Sequence, residues 1–220
     1  MTQIQVDIVS DVMCPWCFVG KRRFEKALDA LAPGVSVSVN WRPYQLDPTL
    51  PPEGKDRKTY LAEKFGGIER AKELYQNIKD AGKGEDIAFR FDDIAVSPNT
   101  LDAHRLIRWS QSAGAGVQDK VVERLFELYF LEGANIGDHS VLIDAAGACG
   151  MDPAIVEGLL AGDADRDAVT QEIAVAQNMG VTGVPCFIID SRYAVMGAQD
   201  PATIADAINQ VADKQNSAID

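Results

Sequence analysis

The chain has 220 residues, of which 46% are hydrophobic and 25% charged, and its formal net charge at pH 7 is −12. A chain of this length can bury a substantial core, and we expect one large domain or one domain carrying a smaller second one. The acidic balance argues against nucleic acid as a partner, because binding to a phosphate backbone needs a basic face.

No targeting segment is visible at the start of the sequence, MTQIQVDIVS, which lacks a basic segment, a long apolar segment and a cleavage site. No apolar run approaches the roughly 20 residues that a membrane span requires. We therefore predict a cytoplasmic protein with no membrane partner. Structural disulfides are rare in a reducing cytosol, and this bears on the four cysteines.

A strand, a helix and a second strand are predicted in the first 41 residues. Residues 4–12, IQVDIVSDV, begin with alternating apolar and polar side chains, which is typical of a strand with one buried face. After Cys14 the apolar period becomes helical, and Pro33-Gly34 ends that helix. Residues 35–41, VSVSVNW, predict the second strand, so that the three elements form a βαβ unit.

The middle of the chain changes character. Residues 42–58 carry four prolines and no period, which predicts a loop or linker. Helical patterns dominate from Thr59 to about Gly162, including a stripe between Leu61 and Ile78 that Gly66-Gly67 weakens. Predicted helix starts in this block are Asn99-Thr100, Asp138 or Ser140, and Asp152-Pro153.

The last part of the chain returns to strands. A helix is predicted from Arg166, followed by strands in VTGVPCFIID and RYAVMG, a helix over 200–213 and a fraying polar tail. We therefore predict an α/β fold in which residues 1–57 and 163–220 form one sheet domain. Residues 58–162 are predicted to form an inserted, all-helical domain.

The sequence CPWC places Cys14 and Cys17 at the junction of the first predicted strand and helix. A sulfur at a helix N-terminus is favoured as an anion, because free N–H groups and the macrodipole point towards it. Cys14 is therefore predicted to be the thiolate nucleophile, and Cys17, one turn further on, the resolving thiol. Pro15 supplies a helical φ without needing an N–H partner. Lys21 and Arg22 add positive charge nearby and are expected to point to solvent.

Two other roles for the cysteine pair are weaker. A zinc site needs four ligands, and the sequence has no second CxxC and no HxxxH, so no metal is expected. A structural disulfide across two residues would constrain little of the chain, and the cytosol would reduce it. A redox or thiol-catalytic role is the favoured hypothesis, as for other CxxC pairs in a βαβ context.

The stretch SDVMCPWCFVGKRRFEKAL closely resembles the DsbA family of thioredoxin-like proteins, in particular its cytoplasmic FrnE-type branch. The resemblance continues through WRPYQLDP, NTLDAHRL, LFELYFLEGANIGD and GVTGVPCFIIDSRYAVMGAQ, and so spans nearly the whole chain. It implies a thioredoxin fold with an inserted helical domain, and dithiol–disulfide exchange on other thiols. It also implies a cis Val184-Pro185 peptide facing the CPWC, which would leave the Val184 backbone free to pair with a substrate strand. The alternative is a trans proline at the start of a strand.

Three further residues near the motif keep two interpretations each. Trp16 is either a hydrophobic contact for substrates or a packing residue against the inserted helices. Asp11 either assists proton transfer to Cys17 or is an exposed carboxylate at the end of the strand. The resemblance places the stretch containing His104 on the active-site side of the helical domain. His104 then either donates a hydrogen bond near the Cys14 thiolate or, as we favour, serves helical packing.

The remaining cysteines depart from the motif. The family usually has an aromatic or aliphatic residue after the cis proline, where this chain has Cys186. We expect Cys186 to lie close to Cys14 and to act as a small buried hydrophobe rather than as a second resolving thiol. Cys149 is predicted at a core position near a helix end. A pairing of Cys149 with Cys186 stays open, since nothing in the sequence requires it.

Together these observations predict a thiol–disulfide oxidoreductase or isomerase with no metal or organic cofactor. Its substrates would be proteins or small molecules that carry thiols or disulfides, and glutathione or an external dithiol would reset it. One alternative is a glutathione-dependent isomerase or kappa-class transferase, since these share the insertion but typically have serine at the first position. Another is a non-enzymatic holdase that uses an apolar groove around Trp16. A homodimer is compatible with the sequence, but no feature requires one.

Overall fold

The described part of the chain, residues 2–217, forms six strands and nine α-helices in a computed structural model. The strands are β1 (Thr2–Ser10), β2 (Val35–Pro43), β3 (Lys55–Asp56), β4 (Val96–Ser97), β5 (Cys186–Ile189) and β6 (Tyr193–Met196). The first helices are α1 (Pro15–Leu28), α2 (Arg57–Phe65), α3 (Ile68–Lys83), α4 (Leu101–Ser110) and α5 (Val117–Phe130). The others are α6 (His139–Ala148), α7 (Pro153–Ala161), α8 (Arg166–Asn178) and α9 (Pro201–Ser217).

A four-stranded mixed sheet in the order β2-β1-β5-β6 joins the two ends of the chain. β1 is parallel to β2, as the predicted βαβ unit requires, and antiparallel to β5, which pairs antiparallel with β6. Ile4, Val6 and Ile8 point to one face of β1, and Val9 to the other, each at most 1% exposed. The inner strand β1 is therefore covered on both faces, and its buried C-terminal end leads directly to the CPWC.

The predicted helix starts in the middle block are confirmed. Thr100 stands at the N-cap of α4. The carboxylates of Asp138 and Asp152 accept hydrogen bonds from the backbone N–H groups of Ser140 and Ala154, and so cap α6 and α7. These ends were predictable because a cap is a local contact over two or three residues.

The stripe between Leu61 and Ile78 belongs to two helices instead of one weakened helix. Gly66 and Gly67 have φ values of +74° and +133°, a region that glycine adopts without strain. Gly66 ends α2 in the left-handed conformation, and α3 begins directly after Gly67. The turn lets both helices face the CPWC from one side.

Two boundaries differ from the prediction. Residues 42–58 are not all loop, because β2 continues to Pro43 and β3 pairs antiparallel with β4. A two-residue strand has no detectable period, and its partner lies about 40 residues further along the chain. The last helix reaches Ser217, so the prediction of a frayed tail is wrong for residues 213–217. Residues 218–220 lie outside the described residues.

The helices between residues 58 and 161 pack on the same apolar core as the sheet. That core includes Ile8 of β1, Phe18 of α1, Phe126 of α5 and Ile208 of α9. The division into a sheet domain and a helical domain stays a prediction. Residues 1 and 218–220, which the predicted sheet domain includes, lie outside the described residues. No helix within residues 2–217 is long and apolar enough to cross a membrane.

Candidate active site

Cys14 lies at the N-cap of α1, directly after the central strand and a short turn. Its backbone N–H donates to the Asp11 carbonyl at 2.9 Å, and no side chain caps the helix. Pro15 takes the first helical position, where the absence of an N–H group costs nothing. The Cys14 sulfur therefore sits where unpaired helix N–H groups favour an anion.

Cys17 lies one turn into α1 and is 1% exposed. Its backbone N–H donates to the Cys14 carbonyl at 3.0 Å. Burial raises the pKa of the Cys17 thiol well above its ordinary value, and the neighbouring Cys14 raises it further, against a smaller opposing effect of Ser10 and the Asp11 backbone. Cys17 is therefore a protonated, sheltered thiol at neutral pH.

The peptide bond between Val184 and Pro185 is cis and faces the CPWC, as the resemblance implies. The Cys14 thiol donates a weak hydrogen bond to the Val184 carbonyl, with a distance of 3.7 Å from Sγ to O. The strand that follows, β5, pairs with β1 and so holds this loop against the start of α1. The loop and the helix N-terminus therefore form one continuous surface.

Gly20 lets α1 approach the proline loop closely. A Cβ added there would lie 2.6 Å from Pro185 Cγ and 3.5 Å from Phe187 Cζ. Because the proline ring is rigid, a side chain at this position would separate α1 from the loop. Sequence analysis missed Gly20, since a glycine inside a helical pattern gives no sign of what it faces.

Gly20→Ala should destabilise the protein by about 1–3 kcal/mol through overpacking and lower the exchange rate by moving Cys14 away from Val184. Gly158→Ala is the matched control, because Gly158 lies within α7 with no heavy atom near its Cβ position. That control should be neutral or stabilising by about 0.5–1 kcal/mol. Urea unfolding gives the free energy of unfolding of each variant. Equal values for Gly20→Ala and Gly158→Ala would contradict the close approach of α1 to the proline loop.

Asp11 is 0% exposed, so the interpretation of an exposed strand-end carboxylate is wrong. Its carboxylate accepts from the backbone N–H groups of Met13 at 3.3 Å and Leu46 at 2.7 Å. His104, on α4, is 3% exposed, and its Nε2 lies 3.5 Å from Asp11 Oδ1. The Asp11 carboxylate thus ties the turn before Cys14 to the loop after β2, and His104 packs against it with no hydrogen bond from Nε2 to any described residue.

Lys21 does not point to solvent, contrary to expectation, because its side chain is 2% exposed. Helix α5 packs over this face of α1 and brings Asp119 to 3.2 Å and Glu123 to 3.0 Å from Lys21 Nζ. Burial alone would lower the pKa of Lys21, but Asp119 and the two glutamates, Glu25 and Glu123, raise it. Arg22 likewise pairs with Glu123 and is only 27% exposed. The positive charge expected beside the cysteines is therefore neutralised.

An apolar cavity of about 400 Å³ opens over Cys14. Trp16 forms part of its rim and remains 37% exposed. Other lining residues, from the loop after β2, from α2 and α3 and from the proline loop, include Leu46, Tyr60, Leu61, Leu74, Tyr75 and Val184. Cys14 lines this cavity and Cys17 does not, so a molecule bound in the cavity would contact only the first of the two cysteines. The helical stripe between Leu61 and Ile78 gave no indication of this cavity.

All four cysteines of the described chain are free thiols. Cys186 is 0% exposed in a small apolar cluster with Val9, Tyr44, Ala176 and Val181, and burial raises its thiol pKa. Cys149 ends α6 beside the charged contact between α1 and α5, and burial raises its thiol pKa as well. The two thiols belong to different parts of the core. No cluster of three or more potential metal ligands exists within residues 2–217.

Comparison with known proteins identifies the fold. Residues 5–209 match the model of the DSBA-like thioredoxin domain. The crystal structure of a probable DsbA oxidoreductase from Streptomyces coelicolor is 32% identical, with a TM-score of 0.84 over 94% of this chain and 89% of that one.

Two more distant structures share the fold alone. A 2-hydroxychromene-2-carboxylate isomerase is 15% identical, with a TM-score of 0.67 over 98% of this chain and 99% of that one. The cytosolic disulfide reductase DsbM of Pseudomonas aeruginosa, solved with GSH, is 16% identical, with a TM-score of 0.59 over 97% and 99%. Placement in the FrnE-type branch stays a prediction. Since the family model covers almost the whole described chain and β1 pairs parallel with β2 as the predicted βαβ unit requires, this protein belongs to the DsbA-like thioredoxin family of thiol–disulfide oxidoreductases.

Proposed function

We propose that this chain catalyses thiol–disulfide exchange, with Cys14 as the nucleophile and Cys17 as the resolving thiol. The supporting observation is the asymmetry of the pair. Cys14 stands at a helix N-terminus and lines the cavity with 4% of its surface exposed, whereas Cys17, 1% exposed, lies one turn behind it and does not line the cavity. A substrate sulfur can therefore approach Cys14 first.

In the first step the Cys14 thiolate attacks one sulfur of a substrate disulfide. A new bond forms from Cys14 Sγ to that sulfur, the substrate S–S bond breaks, and its electron pair leaves on the other sulfur, which takes up a proton. The N-terminus of α1 stabilises the thiolate before attack. In this proposal the Val184 backbone, whose carbonyl lies 3.7 Å from Cys14 Sγ, pairs with the substrate backbone.

In the second step Cys17 loses its proton and attacks Cys14 Sγ. The mixed disulfide breaks, the substrate leaves as a thiol after protonation, and Cys14 and Cys17 are joined in a disulfide. The substrate is thereby reduced by two electrons and the enzyme oxidised. Glutathione or an external dithiol then reduces the Cys14–Cys17 disulfide and is itself oxidised, which restores the dithiol. The same exchange steps in reverse donate the disulfide to a substrate dithiol.

The surrounding residues take supporting roles in this proposal. Trp16 and the Val184-Pro185 loop contact the substrate on either side of Cys14. Asp11 holds the turn before Cys14 in place, because its carboxylate accepts from two backbone N–H groups, and His104 packs against it. We place the activity in the cytoplasm with glutathione as one co-substrate, a setting compatible with that of the similarly folded cytosolic disulfide reductase DsbM, solved with GSH.

A redox titration tests this function. The protein is equilibrated in glutathione buffers of graded potential, free thiols are trapped with an alkylating agent, and all four cysteines are mapped by mass spectrometry. Reversible pairing of Cys14 with Cys17 is expected, and the midpoint would tell whether the protein donates or removes disulfides. Free thiols across the whole range, or a glutathione adduct on Cys14 alone, would refute the dithiol mechanism.

The raised pKa of Cys17 predicts a loss of stability in alkali. A thiol with a higher pKa in the folded state holds its proton more tightly there. Its stabilising effect is complete below the unfolded-state pKa of about 8.5 and declines as pH rises towards the folded-state pKa. We expect this contribution to the free energy of unfolding to fall by about 1 kcal/mol between pH 7 and pH 9.5. In a Cys14→Ser background, adding Cys17→Ala should remove that fall.

Urea unfolding at pH 7 and pH 9.5 measures the effect. The Cys14→Ser background prevents disulfide formation and removes coupling to the second thiol. Other groups that contribute to the pH dependence, such as Tyr129, whose pKa burial raises, are present in both proteins, so that their contributions cancel in the difference. If the free energy of unfolding falls by the same amount from pH 7 to pH 9.5 with and without Cys17→Ala, Cys17 is not the buried, protonated thiol described above.

A further inference from the structure

A buried arginine stands beside a cavity that has no part in the dithiol chemistry. Arg57, the first residue of α2, is 5% exposed. Its Nη1 donates to the Tyr129 hydroxyl at 2.8 Å, and that hydroxyl donates to the Val96 carbonyl at 3.3 Å. Within residues 2–217 no carboxylate pairs with the guanidinium, and Nη2 has no hydrogen-bond partner.

Aromatic rings offset only part of this buried charge. The guanidinium carbon lies 5.1 Å from the ring centre of Tyr75, 5.7 Å from that of Tyr129 and 6.0 Å from that of Phe91. Contacts of this kind favour a cation by about 0.5–2 kcal/mol each. They supply no acceptor for the Nη2 hydrogens, and a buried donor without a partner costs about 1–3 kcal/mol. The site therefore favours an anion.

The cavity next to Arg57 has a volume of about 460 Å³ and lies between α2, α3 and the short 3-10 turn at Phe91–Asp93 that precedes β4. Two further cations, Lys58 and Lys72, line it, and Lys72 also pairs with Glu69 at 2.8 Å on the exposed face of α3. Asp92 is the single acid among its described lining residues; it is 93% exposed and pairs with Lys79 at 3.3 Å. The apolar wall consists of Leu61, Ile68, Ala71, Tyr75, Phe91 and Ile94.

We propose that this cavity binds an amphipathic carboxylate, with the carboxylate on Arg57 and the apolar body against the wall of α2 and α3. Guanidinium groups match carboxylates in shape and charge, and the bond is strengthened where water is excluded. Lys58 and Lys72 add attraction at the mouth. The apolar wall favours a ligand with a hydrocarbon or aromatic body over an inorganic anion, and the volume is in the range of small-molecule sites.

The site is separate from the cysteines although it adjoins them. Leu61 and Tyr75 line both this cavity and the cavity over Cys14, whereas Arg57, Lys58 and Lys72 line only the former. Binding therefore requires neither sulfur. The Cys14→Ser, Cys17→Ser double variant should bind the carboxylate as well as the native chain does, whatever becomes of the proposed exchange activity.

Isothermal titration calorimetry with octanoate tests the proposal, with 1-octanol and inorganic phosphate as probes that lack the charge or the apolar body. One octanoate per chain should bind with a Kd of about 1 mM or tighter. Octanol and phosphate should each bind at least about ten-fold more weakly. Arg57→Met should weaken octanoate binding by about ten-fold or more, and Lys72→Glu by a smaller factor. Lys214→Met, in α9, is a control that should change nothing.

Three results would overturn the proposal. They are the absence of octanoate binding in the native protein, equal binding of octanol or phosphate, and unchanged octanoate affinity in a folded Arg57→Met variant. If Arg57→Met does not fold, Lys72→Glu decides, because Lys72 is an exposed residue whose replacement leaves the core intact. An unchanged octanoate affinity in Lys72→Glu would then refute the site.

Discussion

Cys14→Ser is expected to lower the rate of disulfide exchange by at least about 1,000-fold, because a serine hydroxyl is not ionised near neutral pH and cannot form a disulfide. The fold should tolerate the change. Cys14 occupies the N-cap of α1, a position at which serine is among the favoured residues. Turnover of a disulfide-containing peptide in glutathione buffer measures the rate, and urea unfolding should show a free energy within about 1 kcal/mol of the native value.

Two cysteine variants serve as controls for this loss. Cys149→Ser makes the same chemical change at a thiol beside the charged contact of α1 with α5, and should leave the rate unchanged. Cys17→Ser should still attack a disulfide but fail to resolve it, so that a mixed disulfide accumulates on Cys14. Retention of exchange activity by Cys14→Ser would refute the assignment of the nucleophile.

The same variants separate the alternative functions. A glutathione-dependent isomerase should survive Cys14→Ser, since that class typically has serine at this position; the isomerase of similar fold shares 15% of its residues and supports the fold alone. A holdase that uses the apolar cavity around Trp16 should survive Cys14→Ala together with Cys17→Ala. Suppression of aggregation by the double variant, in the absence of any exchange activity in the native protein, would favour the holdase.

Local patterns account for what the sequence could predict. The strand at β1, the caps at Asp138 and Asp152 and the CPWC at a helix start all depend on residues within one or two turns of each other. The cis Val184-Pro185 bond came from the resemblance to a family, because composition alone does not distinguish cis from trans. The pairing of β1 with β2 followed from the βαβ order.

Contacts between distant parts of the chain account for the features that the sequence could not predict. Lys21 looks like a surface residue in the period of α1, and it is buried only because α5 brings Asp119 and Glu123 over it. Asp11 looks like the exposed end of a strand, yet the loop after β2 covers it with the Leu46 N–H group. Each of these partners lies more than 30 residues away, where a pattern in one segment carries no information about the other.

The covering of α1 on both sides predicts a large effect for Phe18→Ala. Phe18 is 0% exposed, stacked 5.0 Å from Phe126 and edge-on at 6.0 Å to Phe89. On the sheet side of the same helix, Phe24 stacks 5.5 Å from Phe187. Removing the Phe18 ring leaves a cavity between α1 and the helical block, and should lower the free energy of unfolding by about 3–5 kcal/mol. This is a large part of the roughly 5–15 kcal/mol of a typical domain.

Phe18→Leu is the matched control, because it keeps the apolar contact with a smaller loss of volume and should cost less than half as much as the alanine variant. Urea unfolding followed by far-UV circular dichroism and by tryptophan fluorescence measures both variants. Because α1 carries the cysteines and contacts the sheet and the helical block together, the two signals should shift to lower urea in one common transition. A loss below about 1 kcal/mol for Phe18→Ala would show that this cluster does not hold α1 against α5. Two separate transitions would instead show that the predicted sheet and helical domains unfold independently, with α1 belonging to only one of them.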